Sequence, residues 1–273
     1  MNWWGKLIGG TLGFVLGGGP LGAMLGVALG HSFDKGRSGF EVGDFSSKGA
    51  NQERIQAAFF SATFTIMGRI AKSDGVVSET ELEVARQTMQ KMQLNEEQKR
   101  AAINLFNQGK QKDFDYIPVI KQFRNECGRR TSLLRMFMEI QLSTALADNE
   151  LHPEEQRLLT EIAEGLGFQR RHFEQLLAMM TAQKRYSSFD SFDSFNTTQV
   201  DEGLAVNQAY NLLGIDSKCS DAELKKAYRK LMSQHHPDKL VSRGLPEEMM
   251  KIATEKTREI KDAYDRIKKY RSQ

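Results

Sequence analysis

The amino-acid sequence predicts an all-α protein, and two observations support that fold class. Apolar residues recur every three or four positions through long stretches of the 273 residues, which is the period of an amphipathic helix. Only 5 residues are proline, too few for a turn-rich β fold. Cys127 and Cys219 lie far apart, which excludes a disulfide scaffold and a cysteine-rich zinc module and indicates a reducing compartment. We predict an N-terminal transmembrane helix, a central helical bundle with an internal repeat, and a C-terminal helical hairpin.

Residues 1–30 are predicted to form the transmembrane helix. No charged residue lies between Lys6 and His31, and an apolar segment of this length can cross about 30 Å of hydrocarbon as a helix. Trp3 and Trp4 precede the segment, where aromatic rings favour the membrane interface. A cleaved secretory signal is the alternative, but the apolar part of such a signal has only about 7 to 15 residues.

The charges that flank this segment predict its orientation. Lys35 and Arg37 follow it directly, and positive flanks of this kind stay on the cytoplasmic side. Over the whole chain, 38 Lys+Arg against 35 Asp+Glu leave a net charge of +3. This excess is too small to favour nucleic acid as a partner and fits a local docking patch better. The apolar segment itself makes the lipid bilayer an expected partner.

Two sets of glycines in the predicted transmembrane helix are spaced four residues apart. Small residues at this spacing form a stripe along a helix, where a second backbone can approach closely. The stripe predicts a homodimer that forms through this helix, and glycines that only confer flexibility are the alternative. The sets are Gly9, Gly13 and Gly17, followed by Gly18, Gly22, Gly26 and Gly30.

The middle of the chain is predicted to be a helical bundle over residues 52–183. Residues 31–51 before it are rich in Gly, Ser and charge without a sustained period, which predicts a juxtamembrane linker. Within the bundle a helix-turn-helix pattern occurs twice, and two such halves are expected to form one domain. The acidic residues that repeat are Asp74 with Asp148 and Glu81 with Glu155.

The two acidic turns resemble those of TerB-like (tellurite-resistance) helical domains. Their sequences are A-K-S-D-G-V-V-S and D-N-E-L-H-P-E-E. The resemblance implies a candidate cation site at the four repeated carboxylates, because hard cations bind clustered carboxylate oxygens. The alternative is that the Asp side chains bond the turn backbone and the Glu side chains cap helix N-termini. We predict the capping role, and therefore no metal or other cofactor.

Residues 184–205 are predicted to be a flexible linker. Ser, Phe and Asp alternate from Ser188 to Phe195 without a helical period. We expect such a linker to leave the C-terminal module mobile.

Residues 206–273 predict a helical hairpin with one basic face. Ser220 or Asp221 is expected to cap the second helix, and Leu224 begins its apolar face. A partner-docking face is the functional interpretation of the opposite side, and an ordinary solvated face is the alternative. Four cations lie on that side: Lys225, Lys226, Arg229 and Lys230.

A rigid corner is predicted between the second and third helices. Pro237 has a fixed φ and disfavours the helical region for His236, so the second helix should end there. The corner would then present His236, Pro237 and Asp238 to a partner. Hydrolysis by His235 or His236 is an alternative, but no nucleophile, paired base or metal cluster accompanies either histidine, and we expect no catalytic residue.

This C-terminal pattern resembles the J-domain of DnaJ-type proteins. The segments Y-N-L-L-G-I, L-K-K-A-Y-R and H-P-D occur in the J-domain order. The resemblance implies that the tripeptide and the basic face dock on a DnaK-type chaperone and stimulate its ATP hydrolysis. The chain is then expected to activate a partner ATPase without being an enzyme itself.

The three parts in this order resemble the bacterial membrane-anchored DnaJ-like co-chaperones. That resemblance implies a location in the bacterial inner membrane and a further partner, either a client or a membrane signalling protein. The zinc repeats and the glycine/phenylalanine-rich segment of larger DnaJ proteins are missing, so the bundle becomes the candidate adaptor. The alternative is a metal-sensing or scaffolding membrane protein whose J-domain serves only as a docking handle.

Overall fold

The computed structural model describes residues 47–73, 75, 79–148, 151–193, 202–246 and 249–272. The predicted transmembrane helix, with its glycine stripe, lies outside these ranges, as do Asp74 and most of the juxtamembrane linker. Every regular element within the ranges is a helix, which confirms the predicted all-α class. The helices are α1 (Ser47–Ile70), α2 (Glu79–Lys91), α3 (Glu96–Gly109), α4 (Ile117–Cys127), α5 (Thr131–Ala145), α6 (Pro153–Leu166), α7 (Arg170–Asp193), α8 (Glu202–Leu213), α9 (Asp221–His235), α10 (Pro237–Ser242) and α11 (Met250–Arg271). Judged by length and apolar content, none of these helices could cross a membrane.

Helices α1 to α7 form the bundle, with α1 at its centre. This helix contacts α3, α4, α5 and α6, and almost all of its later residues are buried. Its buried hydroxyls bond within the helix: Ser61 donates to Ala57 O and Thr63 to Phe59 O, both at 2.7 Å. A helix that is mostly apolar and satisfies its own polar groups can be enclosed on all sides.

Two glycines allow α1 and α3 to approach at backbone distance. A Cβ added at Gly68 would lie 2.0 Å from Phe106 O, and one added at Gly109 would lie 1.9 Å from Thr65 O. Neither position can accept a larger residue without separating the two helices.

Three fully buried phenylalanines join the two repeated halves of the bundle. The Phe59 ring of α1 meets Phe123 and Phe137 edge-on, at centroid distances of 5.7 and 6.3 Å. Phe123 and Phe137 are themselves 4.6 Å apart. Contacts of this kind add about 0.5 to 1.5 kcal/mol each beyond the burial of the rings.

Helices α8, α9 and α11 enclose a second, smaller core. Leu231 of α9 and Ile260 of α11 are buried together there, and Tyr228 stacks on Tyr264 with the centroids 4.2 Å apart. The predicted pairing of the second and third helices of the hairpin is therefore present, with the short helix α10 between them.

The C-terminal domain lies directly on the bundle, and residues 194–201 of the predicted linker lie outside the described ranges. Helix α7 extends to Asp193, inside the predicted linker, and packs against α8. Leu240, Leu245 and Met249 are fully buried, and they belong to the core of the bundle instead of the smaller core. Burial of these apolar side chains in the core of the bundle stabilises the contact.

Candidate partner-docking site

The corner between α9 and α10 has the backbone geometry that the sequence predicts. Helix α9 ends at His235, and His236 is extended, with φ −60° and ψ 122°. Pro237 is the first residue of α10. Proline has no N–H to donate and disfavours the helical region for the residue before it, so α9 cannot continue. The bend therefore follows from the proline itself.

The polar side chains of the corner are open to solvent. His236 is 47% exposed and Asp238 is 88% exposed. The distance of 4.0 Å between His236 Nδ1 and Asp238 Oδ2 is too long for a hydrogen bond, so the carboxylate can accept from a partner. Lys239 Nζ donates to Ser233 Oγ at 2.8 Å and links the two helices across the corner. A free carboxylate on a stiff turn suits the recognition of an arginine.

The predicted basic face is exposed along α9, while Leu224 and Leu231 of the same helix are buried. The corner follows at the end of this helix, so the cations and the corner occupy consecutive stretches of surface. The exposed cations are Lys225, Lys226, Arg229 and Lys230.

Helix α9 begins with a reciprocal pair of hydrogen bonds that identifies Ser220 as its cap. Glu223 N donates to Ser220 Oγ at 3.3 Å, and Ser220 N donates to Glu223 Oε2 at 2.8 Å. The hydrogen bonds from the backbone and hydroxyl of Ser220 hold the pKa of Glu223 below its usual range. Of the two caps that the sequence allows, the structure thus selects the serine.

Arg271 joins the end of α11 to α8 and to the start of α9. Its Nε donates to the Tyr210 hydroxyl and its Nη2 to Cys219 O, both at 2.7 Å, while Nη1 pairs with Asp221 Oδ1 at 2.5 Å. Sequence reasoning missed this residue. Its partners lie 50 to 61 positions away in the chain, where no spacing rule for a single helix applies.

His235, directly before the corner, is buried against the bundle. Its Nε2 lies 3.4 Å from Glu139 Oε1 of α5, and the two side chains are only 3% and 8% exposed. The contact lacks hydrogen-bond geometry, whereas Arg135 Nε donates to the same Glu139 oxygen at 2.9 Å. The sequence presents His235 only as a candidate hydrolytic residue. Its contact with Glu139 could not be predicted, because Glu139 belongs to another domain.

The charges around this pair determine its protonation. Burial lowers the pKa of His235, and the nearby Glu139 offsets this only in part. Burial raises the pKa of Glu139, but the surrounding bases His235, Lys256 and Arg135 outweigh burial and lower it. Glu139 is therefore a buried carboxylate that its basic neighbours keep ionised. Both residues line a cavity of about 280 Å³ between the bundle and α11.

The structure brings three of the four repeated carboxylates together. Glu155 accepts a hydrogen bond from His152 N at 2.9 Å and so caps α6, which is the role predicted for it. Burial raises the pKa of Glu155 to about 7; the bond from His152 opposes this rise, and the charges of Glu81 and Asp148 add to it. Among the described residues no group of three or more His, Cys, Asp or Glu is arranged to hold a metal ion.

Three protein families match consecutive parts of the chain. Residues 1–40 match the Co-chaperone DjlA transmembrane domain, residues 60–178 match Tellurite resistance protein TerB, and residues 208–272 match the DnaJ domain. No solved structure matches the chain.

Similar proteins match over nearly their full length. The Co-chaperone protein DjlA of Coxiella burnetii is 44% identical, over 100% of this chain and 99% of the relative. The proteins of the same name from Escherichia coli strain K12 and Salmonella typhimurium are each 42% identical, over 98% of both chains.

A J-domain with an open His-Pro-Asp corner, a TerB-like bundle and a matching transmembrane domain define a membrane-anchored J-domain co-chaperone. The full-length similarity then identifies the family: the chain belongs to the DjlA co-chaperones. The resemblance seen in the sequence is thereby confirmed.

Replacement of Glu155 by Gln should make the protein less sensitive to pH. Folding raises the pKa of this carboxyl from 4.5 to about 7, so its contribution to stability is complete below pH 4.5 and is lost as the pH rises through 7. The Gln amide oxygen can still accept from His152 but does not ionise. We expect Glu155→Gln to match wild type at pH 4.5 and to exceed it by about 1 to 3 kcal/mol at pH 8.

The free energy of unfolding of the full chain in detergent micelles, from urea titrations at several pH values, measures this difference. Glu154→Gln is the control, because Glu154 is an exposed neighbour in the same helix turn. A wild-type minus Glu155→Gln difference that stays constant from pH 4.5 to 8 would refute the assignment.

Proposed function

We propose that the chain recruits a DnaK-type chaperone to the inner membrane and stimulates its ATP hydrolysis. One observation supports this above the others: the proline-fixed corner is open to solvent and directly follows an exposed basic helix face. The chain itself supplies no step of the chemistry. It supplies a shaped, charged surface that a partner ATPase recognises.

Each residue of the corner has a distinct role in this proposal. Asp238 accepts a bidentate pair of hydrogen bonds from an arginine of the ATPase, for which an open, acceptor-only carboxylate is suited. His236 contributes one directional hydrogen bond. Pro237 keeps both side chains at a constant angle, which reduces the conformational entropy lost on docking.

The basic face acts before the corner does. Four exposed cations on one side of α9 attract an acidic partner surface over a distance of about one Debye length. Attraction of this kind raises the association rate more than the final affinity. The function of Lys225, Lys226, Arg229 and Lys230 is therefore steering.

The N-terminal segment places this surface at the membrane. We propose a single span with the bundle and the J-domain in the cytoplasm, because Lys35 and Arg37 follow the apolar segment. The bundle then faces the client or the membrane signalling protein, and the partner chaperone is delivered next to it.

His236→Gln should abolish the stimulation. Loss of a central interface contact costs about 2 kcal/mol or more, which is a factor of about 30 in binding. The measurement is single-turnover ATP hydrolysis by a DnaK-type chaperone with the full-length chain in lipid vesicles. His172→Gln is the matched control, since His172 is an exposed histidine on α7 of the bundle. Equal stimulation by wild type and His236→Gln, or none by wild type, rejects the proposal.

Loss of two cations from the basic face should slow association mainly at low salt. For Lys225→Ala combined with Arg229→Ala we expect an association rate about tenfold lower at about 0.01 M salt, and a smaller difference at about 0.15 M, where the Debye length is about 8 Å. Stopped-flow mixing with the chaperone measures the rate. Lys261→Ala with Lys269→Ala removes the same charge from exposed positions on α11 and serves as control. If both double variants behave alike, net charge and not the face is responsible.

We also propose that the chain is a homodimer through its glycine stripe. Gly22→Leu places a branched side chain where the second backbone would approach, so the dimer should weaken. Chemical crosslinking of the intact protein in membranes measures the dimer fraction. Ala28→Leu, within the same apolar segment but outside the stripe, is the control. An unchanged dimer fraction in Gly22→Leu means that this face is not the contact.

A further inference from the structure

The segment that follows the corner is held by the bundle and not by the J-domain core. Leu240, Leu245 and Met249 have no exposed surface and belong to the apolar core of α1 to α7. At the edge of this contact Arg243 Nη1 donates to the Ser132 hydroxyl, and Gln52 Nε2 donates to Val241 O at 3.4 Å. Helix α10 has only six residues, from Pro237 to Ser242, too few to be stable without such support.

The fit at the end of α10 leaves no spare room. Gly244 has a φ of +101°, and a Cβ added there would lie 2.7 Å from Ile55 Cγ2 of the bundle. A glycine is required twice over, by the backbone conformation and by the distance to the bundle.

The segment that precedes the corner is held from the same side. His235, the last residue of α9, is buried against Glu139 of α5, and Arg135 in turn fixes the Glu139 carboxylate. A second link is the ion pair between Lys91 Nζ and Glu255 Oε2, 2.9 Å apart, between α2 and α11. The corner thus lies between two anchors, one on each side in sequence, that the bundle provides.

The contact of the J-domain with the bundle leaves the corner itself uncovered. The anchors His235 and Leu240 are buried, whereas His236 and Asp238 between them are 47% and 88% exposed. An inhibitory contact would cover the residues that the partner needs. This arrangement instead holds their backbone and presents their side chains.

We propose that the bundle is part of the ATPase-activating unit, and that Glu139 is a positioning residue that orients the His-Pro-Asp corner through His235. The inference rests on the proposed function and extends it to the TerB-like domain, because the surface that the DnaK-type chaperone meets is shaped by both domains. Pre-organisation of this kind reduces the ordering cost at the moment of docking.

The test uses the full-length chain in lipid vesicles and follows single-turnover ATP hydrolysis by a DnaK-type chaperone against co-chaperone concentration. For Glu139→Gln, which keeps the shape of the side chain, we expect a half-maximal concentration about three- to tenfold higher than wild type. Glu126→Gln is the matched control: Glu126 is also largely buried and pairs with an arginine of the bundle, Arg54 at 2.7 Å, whereas Glu139 in addition lies against His235 of the J-domain. This control should remain within about twofold of wild type.

A second variant tests the contact between the J-domain and the bundle without changing any charge. Gly244→Ala introduces a Cβ against Ile55, and Gly75→Ala introduces one at nearly the same φ, +95°, with no atom within 4 Å. We expect only Gly244→Ala to raise the half-maximal concentration, and also to speed amide hydrogen exchange in residues 237–246. The comparison separates the loss of the contact between the J-domain and the bundle from backbone strain at a positive φ.

A double-mutant cycle tests whether Glu139 acts through His235. If Glu139 acts through His235, Glu139→Gln should have little further effect once His235→Gln is present, whereas general destabilisation of the bundle would give additive effects. Additive effects overturn the role of Glu139.

The remaining outcomes are also decisive. Stronger stimulation by Glu139→Gln or Gly244→Ala would show an inhibitory contact and would overturn the proposal. Wild-type activity in both variants would show that the contact between the J-domain and the bundle does not affect the stimulation of ATP hydrolysis. No stimulation by wild type removes the proposed function, and the inference with it, whereas stimulation that His236→Gln abolishes and these variants leave intact removes only the inference.

Discussion

Pro237 imposes the constraint on which the docking surface depends. It removes one backbone donor and keeps His236 in the extended region, so the chain must leave the direction of α9 at this point. Two consequences follow. The side chains of the corner project from a stiff bend, and the apolar residues after it pack into the core of the bundle. One local backbone rule thus shapes both the recognition site and the contact between domains.

The contact between the domains combines the burial of apolar side chains with a buried polar cluster around Glu139. The apolar side chains are those of Leu240, Leu245 and Met249, and their burial stabilises the contact without fixing its direction. The directional part comes from Arg135, whose Nε donates to Glu139 Oε1 at 2.9 Å, because a buried carboxylate is stable only where its basic partner is placed correctly. His235 lies against the same Glu139 oxygen. Such a group tolerates few alternative arrangements of the two domains. It links α9, the helix that carries the basic face, to α5 of the bundle.

The acidic turns show how the tertiary structure decides between two interpretations of one sequence pattern. In the sequence, the repeated carboxylates support either a cation site or helix caps. In the structure, Glu155 caps α6 and has a pKa raised to about 7, because burial and two neighbouring carboxylates disfavour its charge. The repeat thus brings like charges together at the junction of the two halves, and the junction becomes sensitive to pH. Asp74, the fourth member, lies outside the described residues.

Local chemistry alone determined much of this protein: the all-α class, the bend at Pro237, the exposed cations of α9 and the J-domain order of motifs. The first three depend on residues a few positions apart, where helical periodicity and backbone sterics apply, and the order of the motifs is visible directly along the chain. Only the tertiary structure decided that His235 meets Glu139, that Arg271 bonds Tyr210, and that the segment after the corner joins the core of the bundle. These contacts join residues far apart in the chain, and the relative position of two packed domains, not a local spacing, brings them together.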